Sequence, residues 1–249
     1  MSPDPPRADA TRAVSPLTVA TTITIGIAAA AWLVGWLIGN LLGSIVVGVA
    51  GYSKTDASLF PVWVVALSSL ALWLPQIAAL LYVSRKYGSG KPVADYAATF
   101  RPVDLAGIPV GVLSQLVLLR LLYWPLQNLF PGTFSKHNLE KNARDLYDSA
   151  KGVWVVVLIV VIVVAAPLVE ELVYRGLLMG AARRRFNDGV ALVGVAAFFA
   201  LIHFRPVEYP GLFLFGLVLG ACVLSTGRIG MGVVAHLSFN ATALALVAR

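Results

Sequence analysis

Two adjacent acids, Glu170 and Glu171, lie near the end of a long apolar segment, and Arg175 follows in the same segment. A charged side chain inside a bilayer costs at least about 2.5–3.5 kcal/mol, so acids there are rare and usually functional. On a helix, Glu171 and Arg175 share one face with the acid first, which favours an ion pair. Glu170 is turned by about 100° from Glu171. Glu170 is therefore the acid left free for chemistry with other segments.

Two histidines and an asparagine also lie in apolar segments. His203 ends the sequence FFALIHF, and His236 precedes Asn240 by one helical turn, so the last two share a face. Peptide hydrolysis needs a base for water, donors for the oxyanion and an acid for the leaving amine. Glu170 can act as the base, His203 can orient the same water, and His236 and Asn240 can donate hydrogen bonds. No serine or cysteine occupies a comparable arrangement, which disfavours a covalent nucleophile.

The composition indicates where these residues reside. Of the 249 residues, 59% are hydrophobic and 12% are charged, whereas soluble domains carry about 25% charged residues. The net charge of +7 is interpreted as a sign of membrane orientation and anionic lipid, and no nucleic-acid partner is expected. Cys222 is the single cysteine, so it forms no intramolecular disulfide. The sequence predicts an all-α, polytopic transmembrane helical bundle.

The apolar segments predict seven spans and three parts of the chain. A proline-rich tail, residues 1–15, is expected to be disordered; residues 16–151 hold the N-terminal spans, and residues 152–249 hold the candidate site. A surface helix is predicted between residues 131 and 152. Glycine stripes at Gly35, Gly39 and Gly43 and at Gly216 and Gly220 predict close helix contacts. The spans are predicted at about 17–49, 60–83, 105–130, 153–183, 190–203, 210–224 and 231–247.

The distribution of basic residues predicts the orientation. The cluster Arg183–Arg185 follows the fourth span, and basic residues favour the cytoplasmic side. With seven spans, this places the N-terminus in the cytoplasm and the protein in the cell membrane.

Three short motifs in consecutive apolar segments resemble those of a known family. They read Glu170-Glu171-x-x-x-Arg175, Phe199-x-x-x-His203 and His236-x-x-x-Asn240. This set is similar to that of the CAAX protease and bacteriocin-processing (CPBP, or Abi) family of intramembrane endopeptidases, over roughly residues 153–247. The resemblance implies hydrolysis of a peptide or membrane-protein substrate in the bilayer. It further implies that Glu170 and His203 activate water, that His236 and Asn240 stabilise the oxyanion, and that Glu171 and Arg175 support them.

The sequence leaves the role of a metal open. Glu170, His203 and His236 together are a donor set that catalytic zinc uses. They would come from three helices, without the HExxH spacing that fixes two ligands at once. The resemblance leaves both a zinc and a glutamate mechanism possible, and no other cofactor is expected.

Two other functions fit the same residues. Glu, His and Arg within spans also build proton relays in proton-coupled transporters, although no inverted repeat is evident here. A non-catalytic membrane adaptor that binds partner helices through its glycine faces is the third alternative. Arg120, inside the third predicted span, stays unassigned. It can snorkel, pair with Glu170 or Glu171 or line a substrate path, and a packing or ion-pair role is favoured.

Overall fold

The computed structural model describes residues 22–248, and every regular element in that range is helical. Six of the helices are long and apolar enough to cross a membrane. This architecture confirms the predicted all-α membrane bundle. In chain order the longer helices are α1 (Ile25–Val49), α2 (Val62–Tyr87), α3 (Pro102–Leu129), α4 (Lys136–Asp148), α5 (Val153–Ala182), α6 (Asp188–Leu201), α7 (Tyr209–Thr226) and α8 (Gly230–Val247).

The helix bounds agree closely with the predicted spans. α4 lies within the segment predicted as a surface helix, and α6, with 14 residues, is the shorter apolar helix at the position of the fifth predicted span. α1 begins at Ile25 because the Thr24 hydroxyl accepts a hydrogen bond from the Ile27 N–H at 3.3 Å. The predicted tail at 1–15 and the start of the first predicted span lie outside the described residues.

Large apolar side chains cover the outside of the bundle. Leu41, Leu74 and Leu121 have exposed fractions of 62%, 62% and 68%. Helices satisfy their own backbone hydrogen bonds, so such faces can lie directly against acyl chains. Together with the six apolar helices, this surface identifies a multi-pass integral membrane protein.

The glycine stripe of α1 forms the predicted close helix contact. A Cβ at Gly39 would lie 2.7 Å from the Leu72 carbonyl oxygen of α2, and one at Gly35 would lie 3.1 Å from the Gln76 Cα. A side chain at Gly39 would clash with the α2 backbone, and one at Gly35 would require α2 to shift by a few tenths of an ångström. The contact fixes the middle of α2, including Gln76, next to α1.

A second glycine contact joins α3 to α8. A Cβ at Gly107 would lie 2.6 Å from the Met231 carbonyl oxygen, and one at Gly111 would overlap the carbonyl oxygen of Ala235. Ala235 is the residue before His236. The backbone that carries this histidine is therefore held against an N-terminal helix.

A buried ion pair ties the start of α3 to the turn between α7 and α8. Asp104 accepts hydrogen bonds from Arg228 Nε at 2.9 Å and Nη2 at 2.7 Å. It also accepts one from the Arg101 N–H at 2.7 Å, while Arg228 Nη1 donates to the Thr226 carbonyl at 2.9 Å. We call this set the Asp104–Arg228 clamp, and it brings the two connecting segments to the same end of the bundle.

Candidate active site

The two glutamates lie where α5 changes its hydrogen-bond register. The segments Val160–Ala165 and Glu171–Met179 are π-helical, and Glu170 ends the short α-helical segment between them. Pro167 in that segment has no N–H to donate, which interrupts the regular ladder. Single π-helical turns inside α-helices are frequent at functional sites. The backbone geometry alone thus makes this part of α5 a candidate for a functional site.

Glu171 is the buried acid of the pair. Its side chain is fully buried, and Oε1 accepts hydrogen bonds from Arg175 Nη1 at 2.8 Å and His236 Nδ1 at 2.9 Å. The ion pair expected from the i, i+4 spacing is present. The contact with His236, which comes from α8, connects this pair to a second motif.

Arg175 is held by two further helices. Its Nη2 donates to the Gly216 carbonyl oxygen of α7 at 3.3 Å, and its Cζ lies 4.6 Å from the centre of the Phe199 ring of α6. The glycine face of α7 makes the expected close contact, since a Cβ at Gly216 would lie 3.1 Å from Ala196. Arg175 therefore fixes Glu171 relative to α6 and α7.

His236 lies between the two carboxylates. Its Nδ1 contacts Glu171 Oε1 at 2.9 Å, and its Nε2 is 3.8 Å from Glu170 Oε2. A carboxylate paired with Arg175 only accepts hydrogen bonds, so His236 Nδ1 carries the proton and donates it. The ring is 4% exposed and packs edge-on against Phe215. This arrangement directs Nε2 of His236 towards Glu170.

Glu170 and His203 line one cavity of about 170 Å³. A quarter of the Glu170 side chain is exposed, in contrast to the fully buried Glu171. His203 Nδ1 lies 2.6 Å from the Phe199 carbonyl oxygen. Because a carbonyl oxygen only accepts hydrogen bonds, Nδ1 is the donor. The Nε2 atom takes no part in this bond and is available to another partner. The cavity therefore offers a carboxylate and an imidazole nitrogen to a small molecule such as water.

The cavity also includes residues that the sequence did not single out. Trp36 of α1 and Gln76 of α2 line it together with Glu170 and His203. Gln76 is a polar residue inside an apolar span, which is the signal that could have indicated it. The N-terminal helices thus contribute directly to the candidate site.

Asn240 bonds to the backbone of α5. Its Nδ2 donates to the Ile162 carbonyl oxygen at 2.8 Å. In the π-helical register the Ala166 N–H donates to Val161, so the next carbonyl, Ile162, would need a donor at Pro167, which has none. Asn240 supplies that donor. Its amide carries two N–H groups, and only one is used in this bond.

A catalytic zinc ion needs three protein ligands that converge on one point. Among residues 22–248, no group of three His, Cys, Asp or Glu side chains is arranged to hold a metal ion. Glu170 and His236 approach each other, but the pair lacks a third ligand at metal-binding distance, which a catalytic zinc requires. The residues present do not fit a zinc centre.

One family model matches the part of the chain that holds the candidate site residues. Residues 152–242, somewhat more than a third of the chain, match the family model described as Type II CAAX prenyl endopeptidase Rce1-like. No curated protein and no solved structure matches the chain. The matched segment contains all three motifs, with Glu170, Glu171, Arg175, His203, His236 and Asn240. Residues 152–242 are thus similar to the Rce1-like model, which describes part of the CAAX protease and bacteriocin-processing family.

Proposed function

We propose that this protein is a CAAX-type intramembrane endopeptidase that hydrolyses a peptide bond with a water activated by Glu170 and His203. One observation carries the proposal: a partly exposed carboxylate and a histidine from another helix share a small cavity within the segment that matches the family. Peptidases of this class act on peptides or membrane proteins. The cavity has room for a reacting water beside both groups.

Glu170 serves as the general base. Its carboxylate accepts a proton from the water while Nε2 of His203 accepts the second hydrogen bond and orients the attack on the peptide carbonyl. The same proton then passes from Glu170 to the leaving amine, which restores the carboxylate. No metal takes part in these steps.

His236 and Asn240 stabilise the oxyanion. His236 donates from Nε2 only when both ring nitrogens are protonated, and Glu171 stabilises that imidazolium through Nδ1. Asn240 donates its second N–H while the first stays on the Ile162 carbonyl. Donors fixed before the reaction stabilise developing charge without reorganisation. Glu171 and Arg175 act as positioning residues.

The depth of the site constrains the substrate. Glu170 lies twelve residues before the end of α5 at Ala182, or about 18 Å along the helix axis. A scissile bond must therefore enter the bundle, as a peptide tail or an unwound membrane segment can. We place the N-terminus in the cytoplasm and the protein in the cell membrane, following the Arg183–Arg185 cluster.

The test compares wild type with Glu170→Gln in liposomes and in membranes whose peptide termini are mapped across the proteome. Glutamine keeps the shape but cannot accept the proton, so we expect cleavage to fall by about 10²–10⁴-fold. Wild-type-specific cleavages would also identify the substrate. Asp148→Asn, the same chemical change at an exposed position of α4, is the matched control and should retain full activity.

Two further measurements distinguish the alternatives. A strong chelator should leave cleavage unchanged; inhibition reversed by added Zn²⁺ would overturn the metal-free mechanism. If Glu170→Gln left all processing intact, the protease proposal would be wrong. A pH-driven solute flux lost in that variant, without any cleavage by wild type, would instead identify a transporter.

A further inference from the structure

Arg120 of α3 is a charged residue that the proposed reaction does not use. It lies nine residues before the end of the span at Leu129, about 14 Å along the axis, and its side chain is exposed. Within residues 22–248 its guanidinium has no hydrogen-bond or ion-pair partner. An unpaired charge at this depth is costly. Arg120 therefore needs a counter-ion from outside the chain.

A groove of about 590 Å³ lies beside Arg120, between α3, α4, α7 and α8. Its walls are largely apolar and include Leu116, Trp124 and Leu246. Gln115 also lines it, and the Oε1 atom of that side chain is buried without a partner among the described residues. The groove thus combines a largely apolar wall with a cation that has no partner among the described residues.

The other charges of the groove are already compensated. Lys136 lies 3.6 Å from Glu140, whose second oxygen pairs with Arg144 at 3.0 Å. Glu208 pairs with Arg205 at 3.2 Å. Neither acid is therefore available to Arg120. The uncompensated charge of the groove is positive, and the occupant must supply an anion.

We propose that this groove binds an anionic phospholipid, with Arg120 pairing the phosphate. The planar guanidinium matches phosphate oxygens in a two-pronged hydrogen bond. Leu116 and Trp124, which are 41% and 68% exposed, face the acyl chains. Phosphatidylglycerol carries a net negative charge, which makes it a suitable probe.

The depth of Arg120 is compatible with a lipid phosphate. α3 has 28 residues and is about 42 Å long, which exceeds the hydrocarbon thickness of about 30 Å. Both ends of α3 therefore extend beyond the hydrocarbon region. Arg120 lies within it, and its long side chain can reach up to the phosphate layer.

The groove shares a wall with the candidate active site. Phe239 lines the groove and stacks on Phe215 with ring centres 3.7 Å apart, and the Phe215 ring centre lies 5.4 Å from that of His236. Two aromatic rings, Phe239 and Phe215, therefore separate a lipid in the groove from His236. The binding proposal does not depend on peptidase activity.

The test measures lipid retention by the full-length protein. Wild type and Arg120→Gln are incubated in phosphatidylcholine vesicles that contain phosphatidylglycerol, extracted in mild detergent and examined by native mass spectrometry. Loss of a charge-assisted hydrogen bond predicts about tenfold lower phosphatidylglycerol retention in Arg120→Gln. Arg85→Gln, the same change on an exposed residue of α2, is the matched control and should retain lipid as wild type does.

A second variant keeps the test decisive if Arg120→Gln does not fold. Leu116→Trp fills the groove without changing its charge and should also reduce retention. Equal retention by wild type and both groove variants, or equal retention of phosphatidylcholine and phosphatidylglycerol, would overturn the proposal. Loss of peptide cleavage in Arg120→Gln with unchanged lipid retention would overturn it too, and would assign the groove to the peptide.

Discussion

Two buried ion pairs hold this membrane bundle, and they differ in how completely their atoms are satisfied. In the Asp104–Arg228 clamp both carboxylate oxygens accept hydrogen bonds and Arg228 uses all three guanidinium nitrogens. In the Glu171–Arg175 pair one carboxylate oxygen receives both hydrogen bonds. Glu171 Oε2 and Arg175 Nε are buried with no partner among the described residues.

The difference is the one expected between a structural contact and a pair that serves the proposed reaction. A buried polar atom without a partner costs about 1–3 kcal/mol, so a purely structural pair tends to satisfy all its atoms. The clamp does so. The Glu171–Arg175 pair leaves two polar atoms without partners. Glu171 instead uses Oε1 to bind His236 Nδ1, and His236 Nε2 then faces Glu170.

Breaking the clamp on one side should have the largest effect on stability. Arg228→Met leaves Asp104 buried without its cation, and such a loss typically costs about 3–5 kcal/mol. We expect a clearly lower unfolding midpoint in detergent, with unchanged activity per folded molecule. Arg85→Met, on an exposed residue, is the control. An unchanged midpoint for Arg228→Met would show that the clamp is not a structural contact.

Replacing both partners of each pair should separate the two roles. The double variant Glu171→Gln with Arg175→Met removes the negative charge that holds His236 as an oxyanion donor. Loss of one such donor typically lowers turnover by about 10²–10³-fold. The stability of this variant should change little, because replacing a whole buried pair is often nearly neutral. Asp104→Asn with Arg228→Met is the matched variant and should keep its activity. Equal behaviour of the two double variants would remove the distinction.

Asn240 tests whether a satisfied polar contact can also lie inside the site. Asn240→Leu leaves the Ile162 carbonyl without a donor, so we expect a loss of about 1–3 kcal/mol in the free energy of unfolding. The turnover rate should also fall, because the oxyanion loses a donor. Ser238→Ala on the same helix is the control for both measurements. Lower stability with unaltered turnover would make Asn240 structural only.

The smallest expected effect concerns Asp95, a carboxylate outside the spans that accepts hydrogen bonds from Ser84 and Ser89. Although burial raises the pKa of Asp95, hydrogen bonds from Ser84 and Ser89 lower it more, to below the ordinary value of 3.8. The stabilisation is therefore complete above that value and is lost as the pH falls through the lower, folded-state pKa. Unfolding midpoints measured down to this pH should decline less steeply in Asp95→Asn than in wild type. Parallel curves would contradict this.

Much of the fold follows from the sequence because span length and helix geometry are local properties. The apolar segments predicted the helices, and the i, i+4 spacing predicted the Glu171–Arg175 pair. The contact between Glu171 and His236 joins residues 65 positions apart. Motif order could suggest that these helices meet, but not which nitrogen of His236 faces which acid.

Other features of the site depend on backbone register and on distant helices. The π-helical segments around Glu170 arise from a change of hydrogen-bond partner that periodicity does not encode. They create the open carbonyl at Ile162 that Asn240 fills. Gln76 reaches the cavity only because α1 and α2 pack closely at Gly35 and Gly39. A single sequence identifies these residues but does not predict which of them come into contact.

The contact of Gly107 and Gly111 with α8 has a consequence for exchanging parts between proteins. The family match begins at residue 152, yet the backbone beside His236 rests on two glycines of α3. A fragment that starts at residue 152 would lack these two glycines, and the helix that carries His236 would lose this contact. A hybrid with the N-terminal half of another protein would need small residues at both positions. The unit that can be transplanted is thus larger than the unit that sequence similarity delimits.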